Sequence, residues 1–141
     1  MNSEIKPALP QDLPRLWDVI QLLRPHLSYE SYLEMATEML STGYQVAFVE
    51  VNGKPVSAIG YRHLQFLFNG KHIYVDDLST LAEHRGKGYA GRLLDYVVEE
   101  AAGNGYNSVT LDSGFQRQVA HRLYLNKGFV ISSFHFMKQI Q

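Results

Sequence analysis

The side chains best suited to chemistry sit in three short stretches of a 141-residue chain. Asp76 and Asp77 are adjacent carboxylates in an otherwise mostly apolar run, His72 to Leu81. Acids in such a run are costly unless hydrogen-bonded or used, so they are candidates for taking a proton; structural carboxylates holding loop amides are the alternative. Strand alternation predicts that their side chains point to opposite faces, so that at most one reaches a given group. Further on, Arg85-Gly86-Lys87-Gly88-Tyr89-Ala90-Gly91 leads into a helical pattern. Glycines there let backbone amides approach a ligand closely, and the helix N-terminus adds positive potential, which together suit phosphate oxygens. The third stretch holds Tyr124, a phenol on a short helical run, with Arg117 and His121 before it.

The glycine turn admits three readings. It can be a tight strand-to-helix connection with no ligand. Gly86-x-Gly88-x-x-Gly91 also matches the dinucleotide string, with Asp112 near the place of a ribose-binding acid. Against this, Ala82 to Arg85 separate the turn from its strand, and residues 92–141 are too few for the rest of a doubly wound domain. A nucleotide P-loop is excluded, since no Gly-Lys-Ser/Thr occurs. The third reading is an acyl-CoA site.

The elements that must position these groups follow from periodicity. Ile5 to Leu9 reads as a short strand. Leu13, Leu16, Trp17, Ile20 and Leu23 share one face of a helix over 10–24, which Pro25 breaks. Ser28 caps a second helix that Gly43 stops. Tyr44 to Val51, Pro55 to Phe68 and His72 to Leu81 read as strands separated by Asn52-Gly53 and Asn69-Gly70, a strong hairpin signal, and so form an antiparallel meander. The glycine turn opens a helix ended by Gly103 and Gly105; Ser108 to Leu111 is a short strand, Arg117 to Lys127 a helix, and Phe129 to Met137 a final strand. The expected architecture is an α/β (α+β) fold, a mixed sheet with helices on both faces, in a single domain over residues 1–141.

Composition narrows the function. Thirteen basic against 14 acidic side chains, with no long basic run, disfavour a nucleic-acid surface. The absence of cysteine removes disulfide scaffolds, cysteine-ligated zinc and an acyl-cysteine intermediate. No His pair has the close spacing of a zinc motif, so no metal is assigned. No apolar run has the roughly 18 residues of a membrane span, and Met1 to Pro10 lacks the apolar core of a secretory signal, so the expected address is cytoplasmic.

Arg85-x-x-Gly88-x-Ala90 resembles the Arg/Gln-x-x-Gly-x-Gly/Ala acyl-CoA signature of the GNAT (Gcn5-related) N-acetyltransferases, and it stands where that family has it, after the fourth strand. Ala120-His121-x-x-Tyr124-x-x-x-Gly128-Phe129 resembles the family's second landmark, a tyrosine-bearing helix before a Gly-Phe strand. Three further pieces, His63-Leu64-Gln65-Phe66, Ala120 to Leu125 and Ser133-Phe134-His135-Phe136, are similar to aminoalkylphosphonate N-acetyltransferases. The resemblance covers nearly the whole chain.

That resemblance implies the GNAT fold and acetyl transfer from acetyl-CoA, as cosubstrate, to a primary amine by direct attack in a ternary complex. It implies that amides of Gly86, Lys87, Gly88, Tyr89, Ala90 and Gly91 hold the pyrophosphate with charge from Arg85 and Lys87. The main chain of Leu78, Ser79 and Thr80 would pair with the pantetheine arm. Tyr124 would protonate the departing sulfur, and Asp76, Asp77 or a water chain would take the amine's proton; Glu83 reads as a solvated loop charge. Arg117 stands where many members carry Asn, which leaves a phosphate contact as its role. Arg62, His63 and His135 on neighbouring strands would bind an anionic acceptor, or else are solvated edge residues. The acceptor expected is a small molecule; protein acetylation and a non-catalytic CoA-binding module are the alternatives. The apolar Phe66-Leu67-Phe68 tip and a chain ending on a strand point to a homodimer.

Overall fold

The chain is described from a computed structural model over residues 3–141. Its order is β1 (Ser3–Pro7), a 3-10 turn, α1 (Leu13–Ile20), α2 (Tyr29–Ser41), β2 (Tyr44–Val51), β3 (Lys54–Phe66), β4 (Gly70–Thr80), a second 3-10 turn, α3 (Tyr89–Gly103), β5 (Ser108–Leu111) and α4 (Gln118–Asn126). Residues up to Leu111 make one compact unit and Asp112–Gln141 a second.

In the first unit the five strands lie in chain order, antiparallel from β1 to β4, with β5 parallel to β4. Asn52 and Gly53 take positive φ, 52° and 78°, closing the β2–β3 hairpin as the sequence requires. The meander is as expected. Ser28 caps α2 by accepting from the Ser31 amide, 3.1 Å, while Ser31 Oγ accepts from the Ser28 amide. The first helix is shorter than its apolar spacing predicts: α1 stops at Ile20, and a looser turn carries the chain to Arg24 ahead of Pro25. Leu16 and Val19 of α1 and Leu93, Leu94 and Val97 of α3 are fully buried with Phe48, Ile59 and Ile73 of the sheet. α1 and α3 cover opposite faces: Ser79 of β4 donates to Val19 O on one, and Tyr61 of β3 donates to Glu100 of α3 on the other.

β4 departs from regular pairing at one point. Gly60 lies opposite Asp77 but Tyr61 opposite Val75, so Asp76 is an extra residue, a β-bulge. β5 pairs with β4 only over His72–Val75, so β4 from Asp76 onward has β3 on one side and no strand on the other among the described residues.

In the second unit α4 runs from Gln118, with Arg117 and Lys127 flanking it. Gly128 has φ 88°, the left-handed region glycine favours, and the chain leaves the helix there. The expected strand over Phe129 to Met137 is not formed: residues 129–141 have no helix or strand. No helix among the described residues is long and apolar enough to cross a membrane.

Candidate active site

The glycine turn forms a bare helix start. After Leu81 one 3-10 turn leads to Arg85, whose Nε donates to Thr80 O at 3.4 Å. Gly86 and Gly88 have φ of 77° and 83°, and the space where a Cβ would stand is open at both. They are glycine because of the backbone angle, not because a neighbour crowds the Cβ position. Gly88 is the N-cap of the 15-residue α3 and supplies no capping side chain, and the first turn of α3 carries no acid. The initial amides of α3 are left for an anion, with exposed Arg85 and Lys87 beside them. This donor set fits a pyrophosphate.

Leu78, Ser79 and Thr80 continue β4 on the stretch that lacks an outer strand neighbour. Their side chains are already engaged: Leu78 is buried, Ser79 Oγ donates to Val19 O at 2.8 Å, and Thr80 Oγ1 shares a hydrogen bond with Ser57 Oγ at 2.7 Å. The free edge is therefore a main-chain surface, suited to a ligand that pairs like a strand.

The two carboxylates lie on one face, not two. The bulge at Asp76 breaks the alternation that separates neighbouring side chains, and both acids reach the face carrying Tyr44 and Arg62, a directly paired couple on β2 and β3. Arg62 grips Asp76 bidentately, Nε to Oδ1 at 3.0 Å and Nη2 to Oδ2 at 2.8 Å. Asp77 Oδ2 accepts from the buried Tyr44 hydroxyl at 2.6 Å, and Asp77 Oδ1 from Arg24 Nε at 3.0 Å. Arg24 also donates from Nη2 to the Asp76 carbonyl at 3.0 Å, so the loop after α1 is tied to the bulge. Burial favours the neutral acid and holds the Asp76 carboxyl above its ordinary 3.8; the Arg62 guanidinium opposes this and the Asp77 charge adds to it. Burial and the nearby Asp77 charge push the Tyr44 phenol well up, so that it stays a donor.

Tyr44, Arg24 and Gly60 were not singled out from the sequence. Gly60 was the available signal, a lone glycine inside a strand pattern, which marks a bulge or a close approach. Here it marks both. A Cβ on Gly60 would fall 1.9 Å from the Tyr44 hydroxyl oxygen.

His63 does not join Arg62. One residue along β3, it turns to the α3 face, where Nε2 contacts Glu100 Oε2 at 2.5 Å and Nδ1 contacts the Tyr106 hydroxyl at 2.9 Å. His135 lies in the irregular C-terminal segment rather than on a strand, with Nδ1 3.6 Å from Asp112 Oδ1. Glu83 is exposed in its 3-10 turn.

Within the second unit, Tyr124 packs its ring 6.1 Å from that of Phe129, and Phe129 N donates to Tyr124 O at 3.0 Å. Burial raises the Tyr124 phenol, and the positive charge of Arg117 lowers it by a smaller amount. His121 Nε2 contacts Gly114 O at 2.8 Å, tying α4 to the loop before it.

The profile of the Acetyltransferase (GNAT) family matches residues 12–129. The chain belongs to the GNAT acetyltransferase family. It is 33% identical over 126 residues to the uncharacterized N-acetyltransferase YhdJ of Bacillus subtilis, covering 88% of this chain and 89% of the relative. It is 29% identical over 141 residues to the aminoalkylphosphonate N-acetyltransferase of Salmonella typhimurium, covering 97% and 91%. Among solved structures, the aminoglycoside N-acetyltransferase AAC(6')-Iy in complex with CoA superposes with a TM-score of 0.87 at 14% identity, over 98% of this chain and 94% of that one, a likeness of fold. The glycine turn thus belongs to an acetyltransferase, and the dinucleotide reading falls away. The protein is an acyltransferase of the N-acetyltransferase class.

Proposed function

We propose that this GNAT acetyltransferase moves acetyl from acetyl-CoA to the primary amine of a small molecule by direct attack in a ternary complex. The observation that carries the reading is the junction in the first unit: an uncapped helix start, an open β4 edge, and two carboxylates brought to one face by the bulge between them. Both units are read as one domain over 1–141, since the family match runs across Leu111.

In this reading the amides from Gly86 to Gly91, with Arg85 and Lys87, hold the pyrophosphate, and Leu78 to Thr80 offer their main chain to the pantetheine arm. An N–H of that edge polarises the thioester carbonyl. The acceptor arrives as an ammonium, since an amine pKa is about 10. Asp76, whose carboxyl is raised by burial, takes one proton from it; Asp77, held by Tyr44 and Arg24, is the fixed anion that orients the cation. The amine nitrogen forms its bond to the carbonyl carbon, the C–S bond breaks, and the departing thiolate takes the Tyr124 phenolic proton; the second proton leaves the nitrogen to solvent, from which the phenol is restored. Arg117 contributes a phosphate contact.

The acceptor favoured is an amine that also carries an anionic group, such as an aminoalkylphosphonate. Arg24 and Arg62 flank the two carboxylates, so ammonium and anion each meet an opposite charge. The Salmonella relative's name agrees with this choice.

Titration calorimetry with acetyl-CoA, and NAD as control, tests the cosubstrate. Thiol release with aminoalkylphosphonates and polyamines then tests the acceptor, without background because the chain has no cysteine. Absence of acetyl-CoA binding overturns the whole reading. Binding without turnover on any small amine leaves a CoA-binding module or a protein acetyltransferase.

A further inference from the structure

Glu100 of α3 is an acid without a counter-ion of fixed charge. Asp12, Glu50, Asp76 and Asp77 each meet an arginine, but no lysine or arginine pairs with the Glu100 carboxylate among the described residues. It is held by other groups. The Tyr61 hydroxyl donates to Oε1 at 2.9 Å, His63 Nε2 contacts Oε2, and His63 Nδ1 contacts the Tyr106 hydroxyl at 2.9 Å. A neutral imidazole completes this chain, with Nε2–H donating to Glu100 and Nδ1 accepting from Tyr106, so the carboxylate keeps its charge. Burial first, then the hydrogen bond to Glu100 and the neighbouring Tyr96, push the Tyr61 phenol far up, so that it stays a donor. Glu100 is thus fixed in place and still part open, its side chain 27% exposed.

That residue lines a cavity of about 400 Å³ within the first unit, together with Pro7, Leu40, Gln45, Tyr61 and Tyr96. The volume lies in the range of roughly 300–1,000 Å³ usual for small-molecule sites. Glu100 is the one charged residue of the lining among the described residues; no lysine, arginine or histidine offsets it there. The walls combine oxygen acceptors, from Glu100, Tyr61 and Tyr96, with the apolar surface of Pro7 and Leu40. Gln45 pairs opposite Tyr61 and is exposed. Tyr61 and Glu100 belong to the α3 face of the sheet, away from the face on which Arg62 and Tyr44 meet Asp76 and Asp77.

We propose that this cavity binds a small organic ammonium, with its N–H groups on Glu100 and the phenol oxygens and its short alkyl body on Pro7 and Leu40, at a site separate from the two aspartates. A cation supplies the charge that Glu100 lacks, and the carboxylate and phenols replace the water that an ammonium gives up. An anion meets repulsion from Glu100, and a neutral ligand leaves its charge unmatched. The binding requires neither CoA nor acetyl transfer, so it stands apart from the proposed reaction.

The test titrates the full chain with n-butylammonium, without acetyl-CoA, and follows amide NMR shifts; n-butanol is the uncharged control. Saturable shifts centred on Gln45, Tyr61, Tyr96 and Glu100 are expected with the amine and none with the alcohol. Gln45→Lys, an exposed position, places a positive charge at the cavity and weakens binding about 10-fold. Glu100→Gln weakens it roughly 10-fold or more. Asp77→Asn leaves the cavity shifts and their midpoint unchanged. Should Glu100→Gln fail to fold, Gln45→Lys decides. The proposal is overturned by the absence of any saturable shift, by equal shifts from the alcohol, by shifts centred on Arg24, Arg62 and Asp76, or by full affinity in Gln45→Lys.

Discussion

Gly60 is the position where the geometry makes its sharpest demand. Replacing it by alanine puts a carbon 1.9 Å from the Tyr44 hydroxyl oxygen, 2.5 Å from Cζ and 2.7 Å from Cε1. Tyr44 is 5% exposed, so its ring cannot swing into solvent, and it must move in a packed setting or push β3 away. Overpacking of this kind costs about 1–3 kcal/mol. Displacing the ring also breaks the 2.6 Å hydrogen bond to Asp77, worth about 1.5–3 kcal/mol with an ionised acceptor. Gly60→Ala is therefore expected to lose about 3–5 kcal/mol, a large share of the roughly 5–15 kcal/mol a domain has. The cause can be isolated because the clash has one owner. Tyr44→Leu removes all three crowded atoms, and in that background Gly60→Ala costs little more than its backbone effect. Guanidinium unfolding of the two single variants and the double one gives the coupling, expected near 2 kcal/mol or above. Additivity within about 0.5 kcal/mol would show that Gly60 does not exist to admit Tyr44.

The other predictions concern chemistry. If Asp76 is the base, the acid limb of kcat/KM lies above the ordinary 3.8, since burial holds the acid up. Arg62→Gln moves that limb to higher pH and Asp77→Asn to lower pH, and shifts of the opposite sign would remove Asp76 from the role. The same group gives stability at acid pH that is lost as pH climbs through its raised folded value, so Asp76→Asn flattens that fall in unfolding measurements. Tyr124→Phe is expected to lower kcat about 10²–10⁴-fold while calorimetry shows acetyl-CoA binding unchanged; an unaltered kcat across pH ends the general-acid assignment. Gly88→Ala forces a side chain into the left-handed region at φ 83°, at about 1–2 kcal/mol, and weakens acetyl-CoA binding. Full affinity in a folded Gly88→Ala protein would place the pyrophosphate elsewhere.

Local rules made much of the first unit legible. Asn52-Gly53 demands two positive φ values and has them, Ser28 caps α2, and the glycines before α3 leave it uncapped. What escaped depends on distance in sequence. The alternation rule sends Asp76 and Asp77 to opposite faces because it assumes a regular partner strand, and the bulge is a property of the pair β3–β4. His63 followed the rule and so faced away from Arg62, a consequence that neighbouring positions on one strand already contain. Arg24 joined the cluster because α1 ends before its apolar periodicity does, which Pro25 signals only by a residue or two. The last strand failed for another reason. Phe129 to Met137 has the composition of a strand, and composition does not supply the neighbour that a strand requires.

One extra residue in β4 accounts for the arrangement of the candidate site. Pairing with β5 ends at Val75, the position before the bulge, so the edge of Asp76 to Thr80 opens where regular register is lost. The insertion also turns Asp76 onto the face of Asp77, where Arg62, Arg24 and Tyr44 meet them. A strand without the bulge would keep at most one carboxylate on that face. Deleting Asp76 should therefore do more than remove a base: it restores continuous register between β3 and β4 and takes away the bulge at which the open edge begins. Asp76→Asn keeps the register and removes only the acid. Comparing the two separates the chemistry of the carboxyl from the geometry of the insertion. Acetyl-CoA binding survives Asp76→Asn and is lost on deletion if the open edge is what receives the pantetheine arm. Equal binding by both would mean that the edge is not the receiving surface.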